Sequence, residues 1–324
     1  MSKLQLSTFP DGSASRAELA AFLKRHDPAP GGIEWEQRMR FWWDENPAAA
    51  ESDERGRWVH DEGRLVGFGG SIPILYAWQG KPVVAVAATT LCVDPDFPRG
   101  AALMFLKQRA VAEHHLITHT TPNPRVQEAL LSLGARAETT ITRHFFPAGA
   151  ASWLRGRAYW PALPADKHLV TGPQEIHSLK QAYRHKDRLE KWITPEYLRW
   201  FCSSPMRPHH LVGAVDARNT LSSYLLVTPR RIKGLRSWDV IETFTTEEDD
   251  TELLALIGTL VKDPALLPGG AAVVTGAAFA DDPTWDGAPA MLRRRQQVCH
   301  FFLLPEPLRH VPKHTVMAEG DLGL

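Results

Sequence analysis

Between Arg57 and Val93 three runs of β-forming residues follow one another, broken only by two tight turns. "RWVH" and "RLVGFGGSIPILYAW" flank Asp61-Glu62-Gly63, and Gln79-Gly80-Lys81-Pro82 opens a long Val/Ala/Thr run that ends at Val93. Glycine-containing turns between such runs join antiparallel neighbours, so this stretch demands a meander. After "DPDFPRG" the chain switches at once to the helix-like "AALMFLKQRAVAEHH". A strand that feeds a helix through a small-residue turn can offer backbone N–H groups to an anion. It is also an ordinary α/β corner. Arg99 adds a charge and Gly100 lets a backbone approach, while Asp94 and Asp96 oppose an anion.

The flanking sequence extends the pattern. "SASRAELAAFLKRHD" and "GIEWEQRMRFWWDENP" predict two helices ahead of the meander, the first with Ser15 three residues before Glu18, a capping-box spacing. "LITHTT" predicts a short buried strand, "NPRVQEALLSLGA" a helix closed by Gly134, and "RAETTITRHFF" a further strand. The order is α-α-β-β-β-α-β-α-β. Pro/Ala/Gly-rich sequence from Pro147 to Pro173 reads as a linker, and the same order then returns. "PQEIHSLKQAYRHKDRLEKW" and "TPEYLRWFCSS" predict helices, followed by three strands ending in "RSWDVIETFTT". "DDTELLALIGTLVKD" predicts a helix, "AAVVTGAAF" a strand, "DGAPAMLRRRQQ" a short helix and "VCHFFLLP" a closing strand. The expected organisation is an N-terminal domain over 1–147, a linker over 148–173, a C-terminal domain over 174–305 and a tail over 306–324.

Composition narrows the function classes. Lys+Arg and Asp+Glu are equal at 37 each, so no whole-chain field draws in nucleic acid or an anionic membrane. The basic run Arg293-Arg294-Arg295 is expected on a solvated helix face. Three cysteines, Cys92, Cys202 and Cys299, have no metal-ligand spacing, and the 14 histidines form no His-Glu-x-x-His motif. No metal is expected. An N-terminus without an apolar core, and no apolar run long enough to span a bilayer, give the expectation of a cytoplasmic protein with no membrane span.

The first half, over about Ser13 to Pro147, resembles the acyl-CoA-dependent N-acyltransferases of the general N-acetyltransferase (GNAT) superfamily. The second half resembles them more weakly. The resemblance implies an α/β (α+β) fold of two GNAT-like domains in tandem, each a mixed, mostly antiparallel sheet flanked by helices. Val93-Asp94-Pro95 matches the lead-in to the family's pyrophosphate turn. The turn itself, Arg/Gln-x-x-Gly-x-Gly/Ala, is degraded: with Gly100 and Ala102 as the small positions, Phe97 stands where Arg or Gln is usual. "NPRVQEALLSLGA" resembles the Asn-x-x-Ala-x-x-x-Tyr-x-x-x-Gly-Phe stretch over the pantetheine arm. Asn123 and Gly134 match; Leu130 replaces the tyrosine that often serves as general acid, and Ala135 the phenylalanine. The implied cofactor contacts are Leu91, Cys92 and Val93 along the strand, Arg99, Gly100, Ala101 and Ala102 in the turn, and Asn123. The implied donor is acetyl-CoA or another acyl-CoA, or an acyl-carrier thioester, and the implied acceptor is a small-molecule or peptide amine.

Transfer to an amine by direct attack needs a base and donors for the developing oxyanion. His119 has a suitable pKa range and sits where the strands are expected to part, although a histidine between threonines on a buried strand is also an ordinary core residue. Thr89 is one of two polar side chains on the strand before the turn. In the second half "EEDD", Glu247 to Asp250, stands where the first half has Pro-Arg-Gly and would repel a pyrophosphate. Trp238, Val240, Glu242 and Phe244 share one face there and either shape an acceptor pocket, with Glu242 as its polar member, or cover a core. Two other classes stay open on the residues alone: an aminoacyl-tRNA-dependent transferase, disfavoured by a pI near 7.3, and a non-catalytic pair kept as a binding or scaffold module.

Overall fold

The computed structural model describes residues 4–27, 32–51, 54–97, 116–150, 160–279 and 287–319, with Met104, Lys107, Gln108 and Trp285. The meander forms as the turns dictate. β2 (Gly56–Asp61), β3 (Arg64–Trp78) and β4 (Lys81–Val93) pair antiparallel in sequence order. Both connecting turns, Glu62-Gly63 and Gln79-Gly80, place two residues at positive φ, the hairpin geometry whose twist matches the strands. β1 (Leu4–Thr8), a strand the sequence reading leaves unassigned, adds to β2.

The remaining strands are β5 (Leu116–His119), β6 (Arg136–Pro147), β7 (His168–Val170), β8 (Ser178–Leu179), β9 (Glu190–Lys191), β10 (His210–Val215), β11 (Thr220–Ile232), β12 (Leu235–Thr245), β13 (Val273–Phe279) and β14 (Leu292–Leu303). One sheet runs through both halves in the order β1-β2-β3-β4-β5-β14-β6-β13-β12-β11-β10-β7. The two expected sheets are therefore joined by an exchange. β14, from the end of the chain, lies between β5 and β6 of the first half, and β6 pairs onward with β13 of the second. Pairing is antiparallel along this path except for β4–β5 and β12–β13.

The helices whose bounds are described flank the sheet: α1 (Ser13–His26), α2 (Trp35–Met39, continued by a π turn over Arg40–Asp44), α3 (Pro124–Ser132), α4 (Pro195–Cys202) and α5 (Thr251–Lys262). α1, α2 and α4 cover one face, where Leu19, Leu23, Trp42 and Trp43 bury against Ile72, Tyr76 and Ala87. Phe41 of the π turn stacks on Trp200 of α4 at 5.0 Å, and the Trp200 indole donates to the Phe41 carbonyl at 2.8 Å. The halves thus share one core on this face. On the opposite face α3 sets Leu130 against Val86, Ala88 and Ile117, and α5 packs on Val212, Leu225 and Val274.

Two helix assignments are corrected. The stretch from Pro173 to Trp192 holds a short 3-10 turn at Pro173–Glu175 and the strand pieces β8 and β9. The supposed helix over 286–297 is overtaken by β14, which begins at Leu292, so Arg293-Arg294-Arg295 lie on a strand paired with β6. No helix among the described residues is long and apolar enough to cross a membrane.

Candidate functional site

β4 and β5 run parallel only from Ala85–Leu116 to Ala87–Thr118. β5 then ends at His119, while β4 continues to Val93 with only β3 beside it among the described strands. A bulge interrupts the β3–β4 ladder at Thr90, whose φ is 47°. Such a bulge bends the strand and turns its edge. Beyond Ala87, β4 therefore has no described strand on the side away from β3, a gap in the described sheet.

The pleat sorts the side chains at this gap. Residues of one parity share a face, so Thr89 lies with Ala87 and Thr118 on the α1/α2 face. His119 pairs with Phe301 and lies with Ala88 and Leu130 on the α3 face. The two first-half side chains singled out for catalysis are thus on opposite faces of the sheet. Both are buried. Thr118 is fully buried, and its Oγ1 has no hydrogen-bond partner among the described residues.

The expected cofactor contacts divide in the same way. Leu91 is exposed and Val93 half-buried, whereas Cys92 is buried and its thiol is pushed up to about 12 by burial, which keeps it protonated and unreactive. Asn123 caps α3, its Oδ1 accepting from the Val126 N–H at 3.1 Å. Arg99, Gly100, Ala101 and Ala102 lie outside the described residues. The turn that leads to them is ordered by its own residues. Asp94 is buried, accepts from the Asp96 N–H at 3.0 Å, and pairs with Arg64 at 3.2 Å. Phe97 is buried against Val59 and Val66, so the residue standing in the usual Arg/Gln position is an apolar anchor for the turn.

The second half repeats the parallel pair, with a tryptophan packed over its last paired residue. β12 and β13 pair in parallel from Ser237–Val273 to Val240–Gly276. The Trp285 ring is pressed onto Gly276 so closely that a Cβ there would stand 2.1 Å from it. Two of the four carboxylates in the acidic turn that follows β12 are paired within the chain: Lys180 with Glu247 at 3.0 Å and Arg184 with Asp250 at 2.9 Å. Glu242 is buried and doubly engaged. It accepts from Lys191 Nζ at 2.6 Å and from the Tyr224 hydroxyl, beside a small cavity of about 20 Å³. Burial and the Glu242 charge hold the Tyr224 phenol well above its usual range, so it stays a donor.

The large cavity, about 730 Å³, lies at the junction of the halves. Its walls come from Thr120 and Pro122 after β5, Arg143 of β6, Gln296 and His300 of β14, Asp239 of β12, and the stretch Arg207–His209. Asp239 and the core residue Ile241 are two apart on β12, so the cavity opens on the α1/α2 face, the face of Thr89 and Thr118. Arg143 and Asp239 form a buried ion pair across it, and the Thr275 hydroxyl donates to Asp239 at 2.7 Å. Sequence reasoning missed these residues. Arg143 and Asp239 meet only because β6 is exchanged into the second half, and nothing local to either residue signals the other. Among the described residues no three His, Cys, Asp or Glu side chains gather where they could hold a metal ion.

No protein-family model matches the chain, and no curated protein matches it. Solved structures do. A protein from Enterococcus faecalis V583, described as a probable N-acyltransferase, matches with TM-score 0.63 at 10% identity over 93% of this chain and 72% of its own. A GCN5-related N-acetyltransferase from Anabaena variabilis gives TM-score 0.62 at 10% identity, with the same coverage of 93% and 72%. One from Kribbella flavida gives 0.57 at 14% identity over 92% of this chain and 71% of its own. The likeness spans both halves, and the chain therefore has the fold of the GCN5-related N-acetyltransferases, the GNAT fold.

Proposed function

We propose that this chain is an acyl-CoA-dependent N-acyltransferase, its first half holding the thioester and its second half completing the acceptor site. The observation that carries this reading is the parting of β4 from β5 after Ala87 and Thr118, on the same sheet face as the 730 Å³ cavity. A strand edge that no described strand covers suits an amide-bearing pantetheine arm and an oxyanion alike, because backbone donors fixed in a sheet need no reorganisation. The acceptor nitrogen attacks the thioester carbonyl carbon; the C–N bond forms, the C–S bond breaks, and the thiolate takes up a proton as the nitrogen loses one.

In this reading Arg99 and Gly100, with Ala101 and Ala102, hold the pyrophosphate, and the Leu91–Val93 strand runs beside the arm. Asn123 acts by fixing the start of α3 at the gap. Thr89 shares the cavity's face and is the polar side chain of β4 best placed to meet the acceptor. Glu242, held by Lys191 and Tyr224, supports the second half rather than acting as a free base. The four carboxylates of that half's turn disfavour a pyrophosphate, so the reading has one thioester site per chain. The acceptor is a small-molecule or peptide amine, and the protein works in the cytoplasm.

Calorimetric titration with acetyl-CoA and longer acyl-CoA thioesters tests the reading. One site per chain is expected, with affinity reduced about tenfold by Arg99→Glu. Absence of binding at millimolar thioester would overturn it.

A further inference from the structure

The charges around the large cavity point to the kind of acceptor it takes. Among the described residues its walls carry three arginines, Arg143, Arg207 and Arg230, against one carboxylate, Asp239. That carboxylate is already engaged. One oxygen accepts from Arg143 and from Thr275, and the other accepts from Arg230 at 3.2 Å. An ammonium entering the cavity would have to displace an arginine to reach it. The arginines, by contrast, keep donors to spare. A guanidinium has five N–H groups; Arg143 uses Nε on Gln296 at 2.9 Å and Nη1 on Asp239, and Arg230 uses Nη1. Arg207 is exposed and has no ion-pair partner among the described residues. Of the two buried histidines of the wall, His300 is kept neutral by its burial and adds no charge of its own.

We propose that the cavity binds an amine acceptor whose far end is a carboxylate, held by Arg207 and Arg230 with Arg143 beneath them. The amine end rests on the acyltransferase reading above; the anionic end stands on the arginines alone. Placement agrees with this. Thr120 follows β5 at one end of the run β5-β14-β6-β13-β12-β11, and Arg230 sits on β11 at the other. A ligand that spans the cavity presents its anion to β11 while its other end meets the gap beside β4. A volume of about 730 Å³ suits a molecule of short-peptide size, too large for a single small amine to fill.

The test uses the whole chain and two tripeptides of equal size, Gly-Ala-Glu and the uncharged-tail analogue Gly-Ala-Gln amide. Calorimetric titration at low salt is expected to give the acid about tenfold tighter binding, since charge-assisted hydrogen bonds are the strong ones. The preference should narrow as salt rises. In the double variant Arg207→Gln/Arg230→Gln it should fall below about twofold; Arg207→Gln alone, which breaks no ion pair among the described residues, should narrow it in the same direction with the melting temperature unchanged, because that side chain is exposed. Equal affinity for the two peptides, no binding of the acid at about 10 mM, or a preference that survives in the double variant overturns the proposal. Titrating acyl-CoA into the same samples separates the two readings. Loss of thioester binding with the acid preference intact sinks the acyltransferase reading and leaves the anion site standing.

Discussion

Both ring nitrogens of His300 are buried beside the cavity with no hydrogen-bond partner among the described residues, and Phe279 meets the ring edge-on at 5.1 Å. Burial, helped by the Lys313 charge and opposed by Glu319, depresses the imidazole to about 4. Above about pH 6.5 the folded and unfolded chains both hold this histidine neutral. Between about 6.5 and 4 the unfolded chain takes up a proton that the folded one refuses, so stability falls as pH falls. Over that window the loss from this one group approaches about 3 kcal/mol. His300→Phe is expected to remove it, and urea denaturation of both proteins at pH 7 and 4.5 would check the difference. A variant that loses as much stability as the parent between those pH values would contradict the assignment. At this scale the sequence was legible where a residue departs from a pattern. Leu130, marked by the absence of a tyrosine, proves to be a fully buried core residue. It was not legible where a partner is distant. Glu242 reads as a polar member of a strand face, but Lys191, which holds it, is 51 residues away on β9.

Among the elements, the tryptophan packed over the second-half parallel pair gives the sharpest expectation. A methyl group on Gly276 has no room against the Trp285 ring, and a buried indole cannot retreat as a flexible chain end would. Gly276→Ala is expected to cost about 1–3 kcal/mol, the usual penalty of overpacking, and Trp285→Phe in the same chain to recover part of it. Thermal unfolding of the single and double variants measures both. The meander, α1, α3 and α5 were readable because each carries its own periodicity or turn chemistry. Pro173 to Trp192 was not. Its apolar residues Ile176 and Leu189 are buried individually, and its order comes from Glu190 accepting the backbone N–H groups of Arg184 and His185, a hydrogen-bond pattern without a sequence period. "RRRQQ" is good helix-forming sequence, yet it becomes strand because β6 offers it a ladder along most of its length. Tertiary pairing outweighs local propensity there.

For the whole molecule the exchange of β14 and β6 decides what can fold alone. A fragment ending at Pro147 would keep β5 and β6 but lack the strand that lies between them, and β6 would lose β13 as well. That fragment is expected to show no cooperative unfolding transition by circular dichroism, and co-expression with residues 148–324 to restore one. A cooperative transition in the isolated fragment would contradict this account. The sequence made the tandem order readable through Leu116–Thr121 and Val273–Ala277, two short apolar strands in matching places. It carried no sign that the halves trade strands, since pairing partners over a hundred residues apart leave no local mark. The same feature orders events in time. Synthesis delivers β14 after the other strands of the sheet, so until β14 has been made β5 and β6 each present a bare edge to the cell. The interval in which wrong partners can reach those edges therefore runs from the emergence of β5 until β14 closes the sheet.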